Sequence, residues 1–205
     1  MNNKYSDTMI KKLLSITNLT SSSLYVDVGG YDGQYIDDMI YHTIQCNIIC
    51  LEPIHKMINI LKEKYKNYPN IKIIGSALLN ENTTAYIQKW RGWKETGSTL
   101  VFEKIEEDKY DYEEVDVIDV KDFMSTIDAV DVMKINIENS EHILLPRMIE
   151  CNIIPKIKIF TIQFHTEFDP QWERRNKIRL DLAKTHSLVH EEDHNICNWE
   201  IWVKK

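Results

Sequence analysis

The sequence predicts a doubly wound α/β fold, in which helices cover both faces of a mostly parallel β-sheet. Three features lead to this prediction. Short runs rich in β-branched residues alternate with amphipathic stretches along most of the chain. The runs are too short for core helices and suit strands that are buried on both faces. A glycine-rich turn, from Gly29 to Gly33, follows the first run at the point where a strand passes into a helix.

The buried strands are assigned in chain order from their apolar runs. Five are predicted, at residues 24–28, 47–51, 71–74, 130–135 and 157–162. Helices are predicted before, between and after them, where apolar residues recur at spacings of three and four. The residues that indicate these helices are Met9, Leu13 and Ile16 before the first strand, Ile54 to Tyr65 after the second, and Trp172, Ile178 and Leu182 after the fifth.

Two regions depart from the alternation. A β-rich insertion between the third and fourth strands is predicted from runs at 84–88, 98–102 and 115–120. Further along, runs at 187–190 and 199–203 predict two final strands. Because no linker, internal repeat or low-complexity tract interrupts the pattern, residues 1–205 are expected to form a single domain.

Composition and charge limit the possible partners. The 205 residues are 43% hydrophobic and 28% charged, with a formal net charge of -7. An acidic protein is a poor partner for a phosphate backbone, so no nucleic acid is expected to bind. No apolar run is long enough to cross a bilayer, and no signal-peptide core is seen, so no membrane association is expected. The four cysteines contain no CxxC pair and are expected to be free thiols in the cytoplasm, with no metal site predicted.

The segment Asp27-Val28-Gly29-Gly30-Tyr31-Asp32-Gly33 is the most informative in the chain. Glycines allow the backbone of such a turn to approach a ligand closely. The dinucleotide fingerprint G-x-G-x-x-G would require glycine where Val28 stands, which argues against NAD. The carboxylate of Asp27 favours S-adenosylmethionine (SAM), because the amino and sulfonium groups of SAM are cationic. Asp27 and the turn residues are therefore predicted to bind SAM.

The ends of the second and third strands supply further candidates for the same ligand. Glu52-Pro53 ends the second strand, where a carboxylate can accept hydrogen bonds from both hydroxyls of a ribose. On its own, Glu52 also fits an acid at the start of a helix. Ser76 and Ala77 follow the third strand, and the sequence leaves open whether they floor an adenine pocket or form an ordinary strand exit.

A third block, Lys134-Ile135-Asn136-Ile137-Glu138-Asn139-Ser140-Glu141, spans the end of the fourth strand. Together with the Asp27 to Gly33 block and Leu51-Glu52-Pro53, it resembles the FkbM family of SAM-dependent O-methyltransferases. The resemblance implies a Rossmann-like class I methyltransferase fold with a seven-stranded sheet. It also implies SAM as methyl donor and an acceptor hydroxyl on a carbohydrate or another small molecule. A domain of this kind can also be one part of a longer glycan-modifying protein.

Three of the positions that differ from the family pattern bear on the chemistry or the backbone. Gly30 stands where the family has Ala, Asn136 where it has Asp, and Asn139 where it has Gly. Asn136 can still hydrogen-bond a substrate, but it cannot serve as a base or as a strong anionic metal ligand. Lys134 is unusual on a buried strand and is expected to pair with Glu138 or Glu141 rather than to contact substrate.

Methyl transfer to a hydroxyl needs a group that accepts a proton, and His165, just past the fifth strand, is the first candidate. Glu138 is expected to orient the imidazole, bind a substrate hydroxyl or act as the base itself. Glu141 and Trp93 are expected to contact the acceptor, although Glu141 also fits the first turn of a helix, and Trp90 or Trp93 the packing of the insertion. Two other functions stay open: a non-catalytic binding module with this fold, and an RNA ribose 2'-O-methyltransferase.

Overall fold

The structure is a computed structural model that describes residues 4–42, 45–91, 98–105, 107–166, 171–193 and 197–205. In chain order its strands are β1 (Leu24–Val28), β2 (Asn47–Leu51), β3 (Ile71–Ile74), β4 (Ala77–Leu79), β5 (Thr83–Trp90), β6 (Thr99–Val101), β7 (Tyr110–Asp119), β8 (Val130–Ile135), β9 (Ile157–His165), β10 (His186–Asp193) and β11 (Cys197–Lys204). Its α-helices are α1 (Lys4–Ile16), α2 (Gln34–Tyr41), α3 (His55–Lys64), α4 (Val120–Phe123), α5 (Glu141–Glu150) and α6 (Gln171–Leu182).

Seven strands form the main sheet, in the order β10-β11-β9-β8-β1-β2-β3. The pairs along the run from β9 to β3 are parallel, whereas β11 is antiparallel to both of its neighbours. From β1 the chain moves outward to β3 and then returns to add β8 on the other side of β1. The strand order therefore reverses between β1 and β8, and this is where ligands bind in open α/β sheets, outside the carboxyl ends of the strands.

The two faces of the main sheet are covered by different helices. Alternate strand residues such as Val26 and Met133 pack with α5 and α6, through Leu144, Leu145, Met148, Ile178 and Leu182. Their neighbours Tyr25 and Val132 pack on the other face with α1, α2 and α3, through Ile10, Leu13, Ile36, Met39 and Leu61. This period-two division also decides the direction of polar residues in the strands.

The β-rich insertion forms a second sheet in the order β4-β7-β5-β6. One face of this small sheet is apolar, and its residues Ile87 and Val115 pack against Ile54 and Met57 at the start of α3. The insertion thus stands beside the carboxyl ends of β2 and β3. Its position between the third and fourth parallel strands is as predicted, and so is the seven-stranded, mostly parallel main sheet.

All four cysteines are free thiols, and Cys46 and Cys50 are buried. No helix in the described part of the chain is both long and apolar enough to cross a membrane.

Candidate functional site

The turn between β1 and α2 lies against two neighbouring segments at the carboxyl edge of the sheet. The N–H groups of Gly29 and Gly30 both donate to the carbonyl oxygen of Leu51, at 3.0 and 3.1 Å. Gly29 has a φ of 82°, and a Cβ atom there would lie 2.0 Å from the carbonyl oxygen of Asn136. Glycine is therefore required here by the close approach of the loop after β8, independently of any ligand.

Asp27 lies beneath this turn in a buried ion pair. Its carboxylate is fully buried, and Oδ1 lies 2.9 Å from Nζ of Lys134, which is also buried. Lys134 in addition donates to the carbonyl oxygen of Gly29 at 2.5 Å. Burial raises the pKa of Asp27, while the neighbouring ammonium group acts in the opposite direction. Removing one partner of a buried pair costs about 3–5 kcal/mol, so this pair holds β1, β8 and the turn together.

The contact of Asp27 with SAM stays a prediction, and the burial of Asp27 favours an indirect role. Asp27 lies between Val26 and Val28, which face α5 and α6, so its side chain points to the opposite face, under α2. Lys134 is its register partner on β8 and points the same way. Asp27 therefore acts on the turn through Lys134 and Gly29. The sequence led us to expect Glu138 or Glu141 as the partner of Lys134, whereas its partner in the structure is Asp27.

Glu52 is bound directly to the turn. Its Oε2 accepts a hydrogen bond from the N–H of Tyr31, and its Oε1 accepts one from the N–H of Ile54, both at 2.8 Å. Burial raises the pKa of Glu52, and these two hydrogen bonds lower it. Ile54 is the residue before α3, so Glu52 fixes the start of that helix and the turn at once. Each carboxylate oxygen keeps a second lone pair for a further donor.

The remaining candidates for the cofactor occupy varied positions. Asp32 is exposed, and its Oδ1 accepts the N–H of Gln34 at 3.2 Å, so it supports the start of α2. Pro53 is half-buried and Ser76 buried at the ends of β2 and β3. Ala77 begins β4 and packs in the main core, which corrects its assignment to the floor of an adenine pocket, because the chain passes directly from one sheet into the other.

The loop after β8 is held in an uncommon backbone conformation. Glu138 and Asn139 have φ values of 49° and 78°, in the left-handed region. Asn adopts this region more readily than most residues do, which explains how Asn139 can replace the glycine of the FkbM pattern. The Thr99 hydroxyl of β6 donates to the carbonyl oxygen of Glu138 at 3.1 Å, so the small sheet braces the loop. The Oδ1 atom of Asn136 is buried, and no described residue donates to it.

His165, at the end of β9, lies between two carboxylates. Its Nε2 is 3.3 Å from Oε2 of Glu138, and its Nδ1 is 3.1 Å from Oε1 of Glu141. Burial by itself would lower the pKa of His165. The hydrogen bonds to Glu138 and Glu141 outweigh this effect and raise the pKa to about 10. A pKa in this range favours the protonated imidazole near neutral pH, and that form has no lone pair to accept a further proton. The choice of His165 as the base stays a prediction.

Glu141 supports His165 from within the protein. Its carboxylate is fully buried, and Oε1 also accepts the backbone N–H of His165 at 2.6 Å. The side chain of His142 donates through Nε2 to the carbonyl oxygen of His165 at 2.8 Å. Glu141 faces the protein interior in the first turn of α5, which favours a role behind His165, and its contact with the acceptor stays a prediction. Glu138, whose side chain is 37% exposed, is the accessible member of the group.

Two further sequence predictions concern Trp93 and a metal site. Trp93, predicted to contact the acceptor, lies outside the described residues. Within the described ranges, no three side chains of His, Cys, Asp or Glu are arranged to hold a metal ion.

Comparisons with known proteins bear on this fold. No family model matches the chain, and no curated protein does. Methyltransferase FkbM from Methylobacillus flagellatus KT is 15% identical with a TM-score of 0.58, over 91% of this chain and 45% of its own length. An rRNA methylase from Streptococcus thermophilus is 8% identical with a TM-score of 0.58, over 100% of this chain and 98% of its own. Aeropyrum pernix fibrillarin, solved with natively bound SAM, is 10% identical with a TM-score of 0.55, over 96% and 74%.

The fold is that of the class I methyltransferases. The chain spans less than half the length of the Methylobacillus protein. In the class I methyltransferase fold seen here, the carboxyl edge between β1 and β8 brings together Glu52, the glycine-rich turn, Asn136 and Glu138. These residues follow β1, β2 and β8, and His165 ends β9.

Sequence reasoning missed two contributors to this edge, His142 and Thr99, and it did not foresee the contact of Glu141 with His165. Glu141 and His142 hold His165 from α5, and Thr99 hydrogen-bonds the Glu138 loop from the insertion. The spacing of Glu141 from Glu138 shows only that both lie near the start of a helix. Which of them faces the sheet depends on how α5 is rotated about its axis, and the apolar positions Leu144, Leu145 and Met148 were the available signal.

Proposed function

We propose that this protein is a SAM-dependent O-methyltransferase related to the FkbM enzymes, acting on a hydroxyl of a carbohydrate or another small molecule. The observation that carries the proposal is the position of Glu52. It is an acid at the end of β2, bound to the backbone of the turn after β1, at the switch point of a sheet with class I methyltransferase order. A carboxylate there is placed to accept hydrogen bonds from the two hydroxyls of a nucleoside ribose.

The chemistry of the surrounding atoms fits this cofactor. SAM supplies a methyl group bound to a positively charged sulfur. The atoms at the edge are mainly acceptors: the Glu52 carboxylate, the turn carbonyls and the buried Oδ1 of Asn136, to which no described residue donates. A buried acceptor without a donor is costly, and an ammonium group such as the amino group of SAM would satisfy it. Asn136 is therefore assigned to cofactor or substrate binding.

Glu138 is the proposed base. It is the accessible carboxylate at this edge, and its Oε2 lies 3.3 Å from the His165 imidazolium. With SAM held at this edge, the acceptor hydroxyl would give its proton to Glu138 as its oxygen takes the methyl group, and the carbon–sulfur bond would break to release S-adenosylhomocysteine. His165 holds the carboxylate in place, and Glu141 in turn holds His165 from beneath. His165 and Glu141 are positioning residues in this scheme.

The proposal is tested by measuring S-adenosylhomocysteine release with a panel of sugars, polyols and other hydroxyl acceptors. Glu138→Gln should lower kcat by about 100-fold or more, because the amide cannot accept a proton, while the affinity for S-adenosylhomocysteine stays unchanged. Glu150→Gln, an exposed acid at the end of α5, is the matched control and should keep full turnover. Turnover by Glu138→Gln equal to that of the wild type would contradict the assignment of Glu138 as the base. If none of the acceptors in the panel stimulates release of S-adenosylhomocysteine, O-methylation of such acceptors is contradicted.

An RNA acceptor is the second candidate. It is favoured by the names of two similar structures, an rRNA methylase and a pre-rRNA processing protein of the fibrillarin type. The net charge of -7 opposes it, since phosphate binding relies on basic surface. Salt-sensitive binding of a short single-stranded RNA, together with methylation of its ribose, would decide for this candidate and against a sugar.

A further inference from the structure

The small sheet carries a row of four aromatic rings on the face opposite its apolar, packed face. The row consists of Trp90 and Tyr86 on β5 and Tyr110 and Tyr112 on β7 and is called the aromatic row below. Ring centroids are 4.8 Å apart between Trp90 and Tyr110, 6.3 Å between Tyr110 and Tyr112, and 6.5 Å between Tyr112 and Tyr86. The pairing of Trp90 with Tyr110 fixes their common face, because side chains alternate along strands.

The aromatic row lies at the surface. Trp90 is 48% exposed, and Ile105, whose backbone hydrogen-bonds the hydroxyl of Tyr112, is 53% exposed. The three tyrosines are half-buried. Large apolar side chains exposed together on a flat sheet are unusual unless they meet a ligand or partner.

Polar groups are interleaved with the rings. Gln88 lies between Tyr86 and Trp90 along β5, and its Nε2 donates to the Tyr112 hydroxyl at 3.0 Å. Nζ of Lys104 lies 4.3 Å from the ring centroid of Tyr86, and Nζ of Lys109 lies 5.0 Å from that of Tyr110. A surface that alternates ring faces with hydrogen-bonding groups matches a ligand that alternates apolar faces with hydroxyl edges.

The excess of acidic residues near the aromatic row disfavours a polyanionic ligand. Residues 103–114 contain seven acidic and two basic residues; Asp111 and Glu113 alternate onto the opposite face, and Lys104 and Lys109 lie over the rings. Single-stranded nucleic acid also stacks on aromatic side chains, but it needs a positively charged groove for its backbone. An acidic surround favours a neutral ligand.

The aromatic row is connected to the candidate base. Thr99 on β6 is the register partner of Gln88, which in turn is the register partner of Tyr112. The Thr99 hydroxyl donates to the carbonyl oxygen of Glu138. One line of residues across the small sheet therefore leads from the Glu138 loop to the middle of the aromatic row.

We infer that the aromatic row binds a neutral oligosaccharide and presents one end of it to Glu138. The sugar rings stack on Trp90 and Tyr110, and the interleaved polar groups bond their hydroxyls. The link to methylation rests on the proposed function, whereas saccharide binding by the row does not require turnover.

The test is a titration of the full chain, without cofactor, with neutral linear hexasaccharides of glucose, xylose, mannose and N-acetylglucosamine, and with decauridylate. At least one hexasaccharide should bind, and Trp90→Ala and Tyr110→Ala should each weaken it by about fivefold or more. Trp172→Ala is the matched control, because Trp172 is a 39% exposed tryptophan on α6. Thermal melts confirm that each variant is folded.

Three results would overturn the inference: no binding of any hexasaccharide, binding that ignores both substitutions, or binding of decauridylate alone. A dimer that dissociates on Trp90→Ala would assign the face to a second copy and also overturn it. S-adenosylhomocysteine binding is measured in parallel. If S-adenosylhomocysteine does not bind while hexasaccharide binding depends on Trp90, the proposed function fails and the inference stands. If S-adenosylhomocysteine binds but no hexasaccharide binding depends on Trp90, the inference fails and the proposed function stands.

Discussion

His165 shows how neighbouring charges decide what a residue can do. The hydrogen bonds to Glu138 and Glu141 outweigh burial and raise its pKa to about 10. The imidazole is thus fixed as a cation that orients Glu138. Its place at a strand end is readable from the sequence, but its protonation depends on two acids from another strand end and a helix. For this reason the sequence could place His165 at the edge of the sheet but could not show its two carboxylate partners.

The raised pKa of His165 predicts how stability changes with pH. The folded value of about 10 lies above an unfolded value of about 6.5, so the folded state binds the proton more tightly. This contribution is fully present below pH about 6.5 and is lost as the pH rises towards 10. The difference in unfolding free energy between wild type and His165→Gln should shrink by roughly 3 kcal/mol from pH 6 to pH 9.5.

Urea denaturation of both proteins at several pH values measures this difference. His55→Gln serves as the control, since His55 is an exposed histidine at the start of α3. A gap between wild type and His165→Gln that stays constant with pH would contradict the charged state assigned to His165.

At the scale of elements, the turn after β1 is shaped by its fit to β2. A Cβ atom at Gly30 would lie 2.1 Å from Sγ of Cys50 on β2, whereas its next contact, with Leu61, would be an ordinary 3.7 Å. The FkbM pattern has Ala at this position. The sulfur of Cys50 therefore explains why this chain has Gly30, a coupling between two residues that are far apart in the sequence.

This coupling predicts a compensating pair of substitutions. Gly30→Ala alone should destabilise the protein by about 1–3 kcal/mol, because the added methyl group overpacks the contact with the sulfur. Cys50→Ala removes the sulfur, so the double variant should be clearly more stable than the sum of the two single changes. Thermal denaturation of the four proteins measures the interaction. Additive effects would show that Cys50 is not what excludes a side chain at position 30.

Element boundaries followed the sequence where apolar runs decided them and departed from it where pairing or capping did. The runs at 24–28, 47–51, 71–74 and 130–135 coincide with β1, β2, β3 and β8. The run predicted at 115–120 instead belongs to a strand that begins at Tyr110, where it pairs with Trp90, and ends at Asp119. Asp119 accepts the N–H of Lys121 and caps α4, so Val120 enters a helix despite its β-branched side chain.

At the scale of the whole molecule, the alternation of strands and helices predicted a parallel sheet, and the FkbM resemblance predicted its seven strands. The face to which each polar strand residue points was less accessible. Asp27 and Lys134 meet because β1 and β8 pair in one particular register, and a shift by one residue would place them on opposite faces. The packed core sets the register between strands this far apart in sequence. The sequence could therefore predict where the site lies but not which of its side chains contact each other.

The central claim is that the edge between β1 and β8 holds a sulfonium nucleoside, and calorimetric titration with S-adenosylhomocysteine tests it most directly. The wild type should bind one molecule per chain. Glu52→Ala should weaken binding by about 10- to 100-fold, as expected for loss of hydrogen bonds to a charged group. Glu63→Ala, an exposed acid on α3, should bind as the wild type does. No heat of binding in the wild type, or equal affinity in a folded Glu52→Ala variant, would contradict the account.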